Sequence, residues 1–169
     1  MEIKAFVTNL GKYNEGELIG EWVTFPIDED EQTELFKRIG INEQYEEYFI
    51  TDYEAPDGMK ISEYSSITEL NEMAEKLDSV EFYQEDTLEA LLAHLGDIDE
   101  AIDALDNTLC YPDCHDMADV AERYCDECGI LDNIPEDLRY YFDFEKYGNY
   151  LDTSGTYFYH NNCYYEIVW

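Results

Sequence analysis

Basic residues are scarce. Lysine and arginine together number 9 against 42 aspartates and glutamates, so the 169-residue chain carries a formal charge of -33. Direct binding of nucleic acid or of an anionic membrane needs clustered Lys and Arg to meet phosphate, and a field of this sign repels both. A basic partner is favoured instead. Glycine (9) and proline (4) are also few, while 45% of residues are apolar and 15% aromatic, a composition that excludes a disordered acidic tail. No apolar run approaches the roughly 18 residues of a membrane span. The start, Met1-Glu2-Ile3-Lys4-Ala5-Phe6-Val7, lacks the basic n-region and the cleavage site of a signal peptide. The expectation is a folded, cytoplasmic protein of one to one and a half ordinary domains.

Catalytic and metal-binding signatures are equally thin. His94, His115 and His160 are the only candidate histidine bases, no Ser or Cys stands in a nucleophile elbow, and no glycine-rich phosphate loop occurs. The runs from Asp28 and from Asp97 lack the glycine that a calcium-binding EF-hand loop requires. The five cysteines, Cys110, Cys114, Cys125, Cys128 and Cys163, are odd in number and confined to the last third, which fits reduced thiols. Cys110-x3-Cys114 and Cys125-x2-Cys128, with His115 beside them, have spacings a zinc site uses. Against this, Cys128 continues the apolar face of Met117, Ala121 and Tyr124, as a cysteine used as a small hydrophobe would. A redox role is weaker still, because this CxxC lies at a helix C-terminus, where the macrodipole does not favour thiolate. The sequence assigns no catalytic residue, no metal and no cofactor. A small zinc-stabilised acidic enzyme and a generic acidic, halophilic domain stand as alternatives to a binding role for the acidic surface.

Splitting the chain at 60 and 109 gives 15 acids and 5 bases, then 14 and 1, then 13 and 3. The charge therefore belongs to folded surfaces and not to a tail. The expected class is α+β: an elongated chain of three small consecutive domains, with β-hairpins at both ends and a helical middle. Residues 1–60 form an α+β block. Glu2 to Asn9 and Glu17 to Phe25 flank the turn cluster Gly11 to Gly16 as a hairpin, Asp28 to Ile39 is a helix closed by Gly40, and Glu46 to Tyr53 is a strand. Pro56-Asp57-Gly58 reads as a linker. Residues 61–109 are helical: Ser66 with Glu69 makes a capping box ahead of the stripe Ile67, Leu70, Met73, Ala74, Leu77. Leu88, Leu91, Leu92 and Leu95 mark a second helix, Gly96 a break, and Ile98, Ile102, Leu105 and Leu109 a third. Residues 110–169 open with a helix from Asp116 to Cys128 closed by Gly129. Another starts at Pro135 and runs to about Lys146, and Gly155 to His160 and Cys163 to Trp169 form a hairpin around Asn161-Asn162.

The acids repeat along helix faces. Asp99, Asp103 and Asp106 are spaced i, i+4, i+7 opposite an apolar stripe; Glu69, Glu72 and Glu75 line the first middle helix, and Glu85, Asp86 and Glu89 the next. Asp116, Asp119, Glu122 and Asp126 line the helix whose sole base is Arg123. Like charges at this spacing repel, and a solvated face ordinarily mixes signs. At about 1.5 Å rise per residue, carboxylates three or four apart lie roughly 4.5 to 6 Å apart along the axis. Duplex DNA carries one charge per about 1.7 Å, so a net charge of this size matches roughly 16 base pairs. The residue pattern reads as phosphate mimicry.

The run Asn9-Leu10-Gly11-Lys12-Tyr13-Asn14-Glu15-Gly16-Glu17-Leu18, then Gly20-Glu21-Trp22, and later Asp116-Met117 leading through Gly129 and Pro135 to Leu151-Asp152-Thr153-Ser154-Gly155-Thr156, closely resembles antirestriction proteins of the ArdA family. The resemblance covers essentially the whole chain. It implies a DNA mimic of mobile genetic elements, non-catalytic, that occupies the DNA-binding groove in the specificity and methyltransferase subunits of Type I restriction-modification enzymes. It also implies a three-domain chain that forms a homodimer through its C-terminal domain. The contact is expected around Tyr157, Tyr159, Tyr164 and Trp169, where apolar surface is needed to bring two negative bodies together. The cysteine pairs lie outside the family pattern.

Overall fold

The computed structural model describes residues 1–168, so Trp169, one of the expected dimer contacts, lies outside the described residues. Helix and strand mix as the α+β reading expects. By Cα proximity the chain divides into two compact units, Met1–Ile98 and Asp99 onward.

In the first unit β1 (Ile3–Asn9) pairs antiparallel with β2 (Gly20–Phe25) and, on its other side, with β3 (Tyr48–Glu54), giving the order β2-β1-β3. Alternation decides the faces: Ile3, Ala5 and Val7 are fully buried, with Val23 and Phe25 beside them, while Lys4 and Phe6 are only partly covered. The turn cluster of the first hairpin is not a plain loop. It contains a one-turn helix, α1 (Leu10–Asn14), started by Asn9, whose Oδ1 accepts the Lys12 N–H at 2.9 Å. Helix α2 (Glu29–Arg38) is capped by Asp28, with three acids in its first turn and Lys37 and Arg38 in its last, the order the macrodipole favours.

Helix α3 (Ile67–Asp78) starts on the expected capping box: Ser66 Oγ accepts the Glu69 N–H, and Glu69 Oε2 accepts the Ser66 N–H at 2.8 Å. Its stripe Ile67, Leu70, Ala74 and Leu77 is buried. A 3-10 turn (Phe82–Gln84) leads into α4 (Glu85–Leu95), which buries Leu88, Leu91 and Leu92 and ends on Gly96 at φ 74°. These helices are fastened to the sheet block by specific groups. Asn71 accepts the Ile27 N–H and donates to the Ile27 carbonyl, both at 2.8 Å. The Tyr48 hydroxyl accepts the Ile67 N–H at 3.0 Å. The segment read as a linker is packed: Gly58 sits at φ 82°, and a Cβ there would run into the backbone of Leu92 and Ala93.

The second unit takes α5 from Asp99 (the helix is Ile98–Leu105) and holds β4 (Thr108–Pro112), α6 (Met117–Glu127), α7 (Glu136–Arg139), α8 (Phe144–Ser154), β5 (Thr156–His160) and β6 (Cys163–Ile167). The sheet order is β4-β6-β5, all antiparallel. Asn161 and Asn162 both take positive φ, 44° and 68°, and make the tight hairpin turn their side chains tolerate. Two expectations change here. The third middle helix stops at Leu105, and Leu109 lies in β4, half exposed, because Thr108 to Pro112 pair with Cys163 to Ile167. The helix from Pro135 breaks after Arg139, and α8 restarts under an Asp143 cap and runs to Ser154. Gly148 is what lets α8 close on α6: a Cβ there would collide with the Met117 carbonyl. Tyr111, Cys114 and Val120 form a core against which Met117, Tyr157 and Tyr164 pack.

The acidic helix faces as candidate functional site

The acids singled out from the sequence are on the surface. Glu69, Glu72, Glu75, Asp86, Asp99, Asp103, Asp106, Asp116, Glu122 and Asp126 are exposed, and Glu85, Glu89 and Asp119 are half-buried. The reason is helical periodicity. Each face is the back of an apolar stripe: Leu70, Ala74 and Leu77 in α3, Ala101, Ala104 and Leu105 in α5, Val120, Ala121 and Cys125 in α6. No lysine or arginine occurs between Lys76 and Arg123.

Four of these carboxylates hold structure, which the spacing argument did not distinguish. Glu69 closes the capping box. Glu85 accepts the Met1 ammonium at 3.4 Å. Asp116 stands just ahead of α6 as its N-cap, with Oδ1 accepting the Ala118 and Asp119 N–H groups at 2.9 Å. Asp119 Oδ2 accepts the His115 N–H at 2.8 Å. An Asp three residues before a helical acid was the available signal for the Asp116 cap. On α6, Arg123 turns back to the Pro112 carbonyl and to Glu127, at 3.6 Å, so it offsets the end of the face and not its middle.

Elsewhere the bases are absorbed locally. Lys4 meets Glu2 and Glu54, Lys37 meets Glu34, and Arg38 meets both Glu21 and Glu31. Lys12 is the centre of a knot: its Nζ donates to Glu15 at 3.1 Å and lies 4.6 Å from the centre of the Tyr45 ring, while the Tyr45 hydroxyl donates to Glu15 at 2.9 Å. The hydrogen bond to Glu15 raises the Lys12 pKa, and those from Tyr45 and Lys12 lower that of Glu15. Asn9, fully buried, ties the knot to α2 by donating to the Ile39 and Gly40 carbonyls at 3.1 Å. The densest sequence motif, Asn9 to Gly16, is thus a structural device.

The cysteines do not gather into one site, although Cys110 and Cys163 adjoin across β4 and β6. Cys114 and Cys125 are buried, Cys110 and Cys128 exposed, and among the described residues no three His, Cys, Asp or Glu side chains converge as a metal-binding group. Burial raises the thiols of Cys114 and Cys125 and, with the neighbouring Cys163, pushes Cys110 up to about 11, the reverse of an activated nucleophile. Of the aromatic residues expected at a dimer contact, Tyr159 is half exposed, whereas Tyr157 and Tyr164 pack on their own core. Among the described residues no helix is long and apolar enough to cross a membrane.

No curated protein matches the chain. The family model for the antirestriction protein ArdA matches residues 5–166, which takes in both compact units and every acidic helix face. The match spans nearly the whole chain, and the chain belongs to the ArdA family of antirestriction proteins.

Proposed function

We propose that the chain inhibits Type I restriction-modification enzymes by standing in for DNA, its carboxylates meeting the cationic groups of the specificity and methyltransferase subunits that hold phosphates. The observation that carries this reading is the stretch between Lys76 and Arg123. There, exposed acids recur on α5 and into α6, and the sequence of the stretch contains no lysine or arginine. A face of that kind destabilises its own helix slightly and is useful only to a positive partner.

The three charge blocks, 1–60, 61–109 and 110–169, act in this reading as consecutive binding faces, and the aromatic C-terminal block joins two copies as a homodimer. The inhibition is non-catalytic and needs no cofactor. Competition tests it: increasing amounts of the protein should displace a fluorescent target duplex from a Type I methyltransferase. The displacement should weaken as salt rises, since exposed charges are screened beyond about 8 Å at 0.15 M. Displacement that is insensitive to salt would point to an apolar interface, and no displacement would refute the reading.

A further inference from the structure

The N-terminal sheet carries a feature that phosphate mimicry does not use. A concavity of about 670 Å³ opens on it, lined among others by Phe6, Tyr13, Leu18, Trp22, Asp52 and Glu63. The strand register explains its chemistry: Trp22 stands opposite Phe6, and Phe6 stands opposite Asp52, so two rings and a carboxylate form a row across β2, β1 and β3. The Phe6 and Trp22 rings meet edge to face with centroids 5.7 Å apart. Trp22 is 44% exposed, Tyr13 49% and Leu18 65%, a large apolar surface to leave in water on so charged a protein.

Both charged residues of the lining are acids, Asp52 held at its carboxylate and Glu63 at its backbone. Asp52 Oδ1 accepts the Tyr53 N–H at 2.9 Å, and the Glu63 carbonyl accepts the Ile50 N–H at 2.8 Å, which ties Glu63 to the edge of β3. A wholly apolar ligand would strip water from these carboxylates without replacing it, and a bare cation would leave the rings wet. An arginine satisfies both, because its planar guanidinium stacks on an aromatic face while forking to a carboxylate, and a volume of this size admits it with apolar neighbours.

We propose that this groove binds an arginine side chain together with flanking apolar residues on an extended segment of the partner protein. The proposal rests on the DNA-mimic reading in one respect: the partner is the restriction enzyme, whose DNA-binding surface is where phosphate-contacting arginines are presented. The groove then supplies what the acidic faces lack, a contact of defined shape in which buried apolar area adds to charge.

Calorimetry on the full chain tests it, with short blocked peptides as probes: one alternating leucine and arginine, one alternating leucine and glutamate, one alternating glycine and arginine. The leucine-arginine peptide should bind saturably at one site and lose less of its affinity at high salt than the glycine-arginine peptide does. The glycine-arginine peptide should bind weakly and lose its binding there, and the leucine-glutamate peptide should not bind. Trp22→Ala should weaken the leucine-arginine peptide by roughly five- to thirtyfold. Asp52→Asn with Glu63→Gln, which preserves shape, should weaken it as well and covers the case in which Trp22→Ala perturbs folding. Equal binding of the leucine-glutamate peptide, unchanged affinity in both variants, or no binding by the leucine-arginine peptide each overturns the proposal.

The methyltransferase competition separates the two readings. If the wild-type protein displaces DNA and the folded variants do so less well, the groove is supported. If they do so equally well, the groove proposal falls and mimicry stands. If the wild-type protein displaces nothing, mimicry falls and the peptide titration alone decides the groove.

Discussion

Around Lys12, charge is matched inside the fold: Glu15 and Glu17 reach the ammonium, Tyr45 bonds to Glu15 and lies beneath Lys12, and Asn9 fastens the assembly to the end of α2. Along α5 and the first turns of α6, the same carboxylates recur without a lysine or arginine in the intervening sequence, facing water behind a buried apolar stripe. The difference teaches how to sort acids in a chain that has so many. A carboxylate that caps a helix or closes on an ammonium, such as Glu15, Glu69 or Asp116, holds the fold. A carboxylate exposed at helical spacing and remote in sequence from any lysine or arginine, as on α5, is in our proposal the kind that presents its charge to a partner.

The largest effect should come from erasing the second kind. Changing Asp99, Asp103 and Asp106 together to Asn should raise the concentration needed to displace DNA by roughly tenfold, because each contributes to one summed field. Asp103→Asn alone should leave inhibition near normal, and the thermal midpoint of the multiple variant should hold or rise as repulsion on α5 is relieved. Loss of inhibition from the single change, in folded protein, would break the comparison by revealing a discrete site.

Erasing the first kind should act on stability. Asn9→Ala removes the α1 cap and leaves the Ile39 carbonyl without its side-chain donor, while the Gly40 carbonyl keeps the one from Asn42, at a cost of about 2–3 kcal/mol in urea unfolding. Inhibition should fall only as far as the folded fraction does. The sharpest version of the comparison lies within one helix. Asp116→Ala should cost about 1 kcal/mol through the lost cap, whereas Glu122→Gln, further along the helix and exposed, should leave the unfolding midpoint unchanged.

A smaller effect is expected from alkali. Burial, then the Glu166 carboxylate, raises the Tyr111 and Tyr157 phenols above their ordinary value of 10.0, with Tyr111 donating to Glu166 at 2.8 Å. The folded state therefore holds protons that the unfolded chain releases. The associated stability is fully present below about pH 10 and is lost as pH rises further. Tyr111→Phe should flatten that alkaline limb in thermal melts taken at increasing pH.

Much of this was legible from local signals. The capping box at Ser66 and Glu69, the stripes of α3 and α4, Gly96 as a stop and the Asn161-Asn162 turn are all decided within a few residues, and the structure carries each. Strand β4 was not legible, because Thr108 to Pro112 become a strand only by pairing with residues more than fifty positions later. The extent of α8 was hidden for a related reason: a glycine inside a helix is ordinarily unfavourable, and only the close approach to Met117 gives Gly148 its place there. The acidic faces could be found by spacing and the Glu69 capping box by its motif, but the roles of Glu85, Asp116 and Asp119 were settled only when the groups they accept from were placed. The groove was invisible in sequence, since Trp22, Phe6 and Asp52 come from three strands and adjoin only through register.

The absence of lysine and arginine between Lys76 and Arg123 also reaches beyond binding. A protease that cuts after basic residues finds no bond to cleave in that stretch, folded or unfolded. The junction between the compact units, at Ile98 and Asp99, falls within it. Trypsin-like enzymes must therefore cut outside it, whereas a glutamate-specific enzyme finds Glu81, Glu85, Glu89, Glu100 and Glu122 within it.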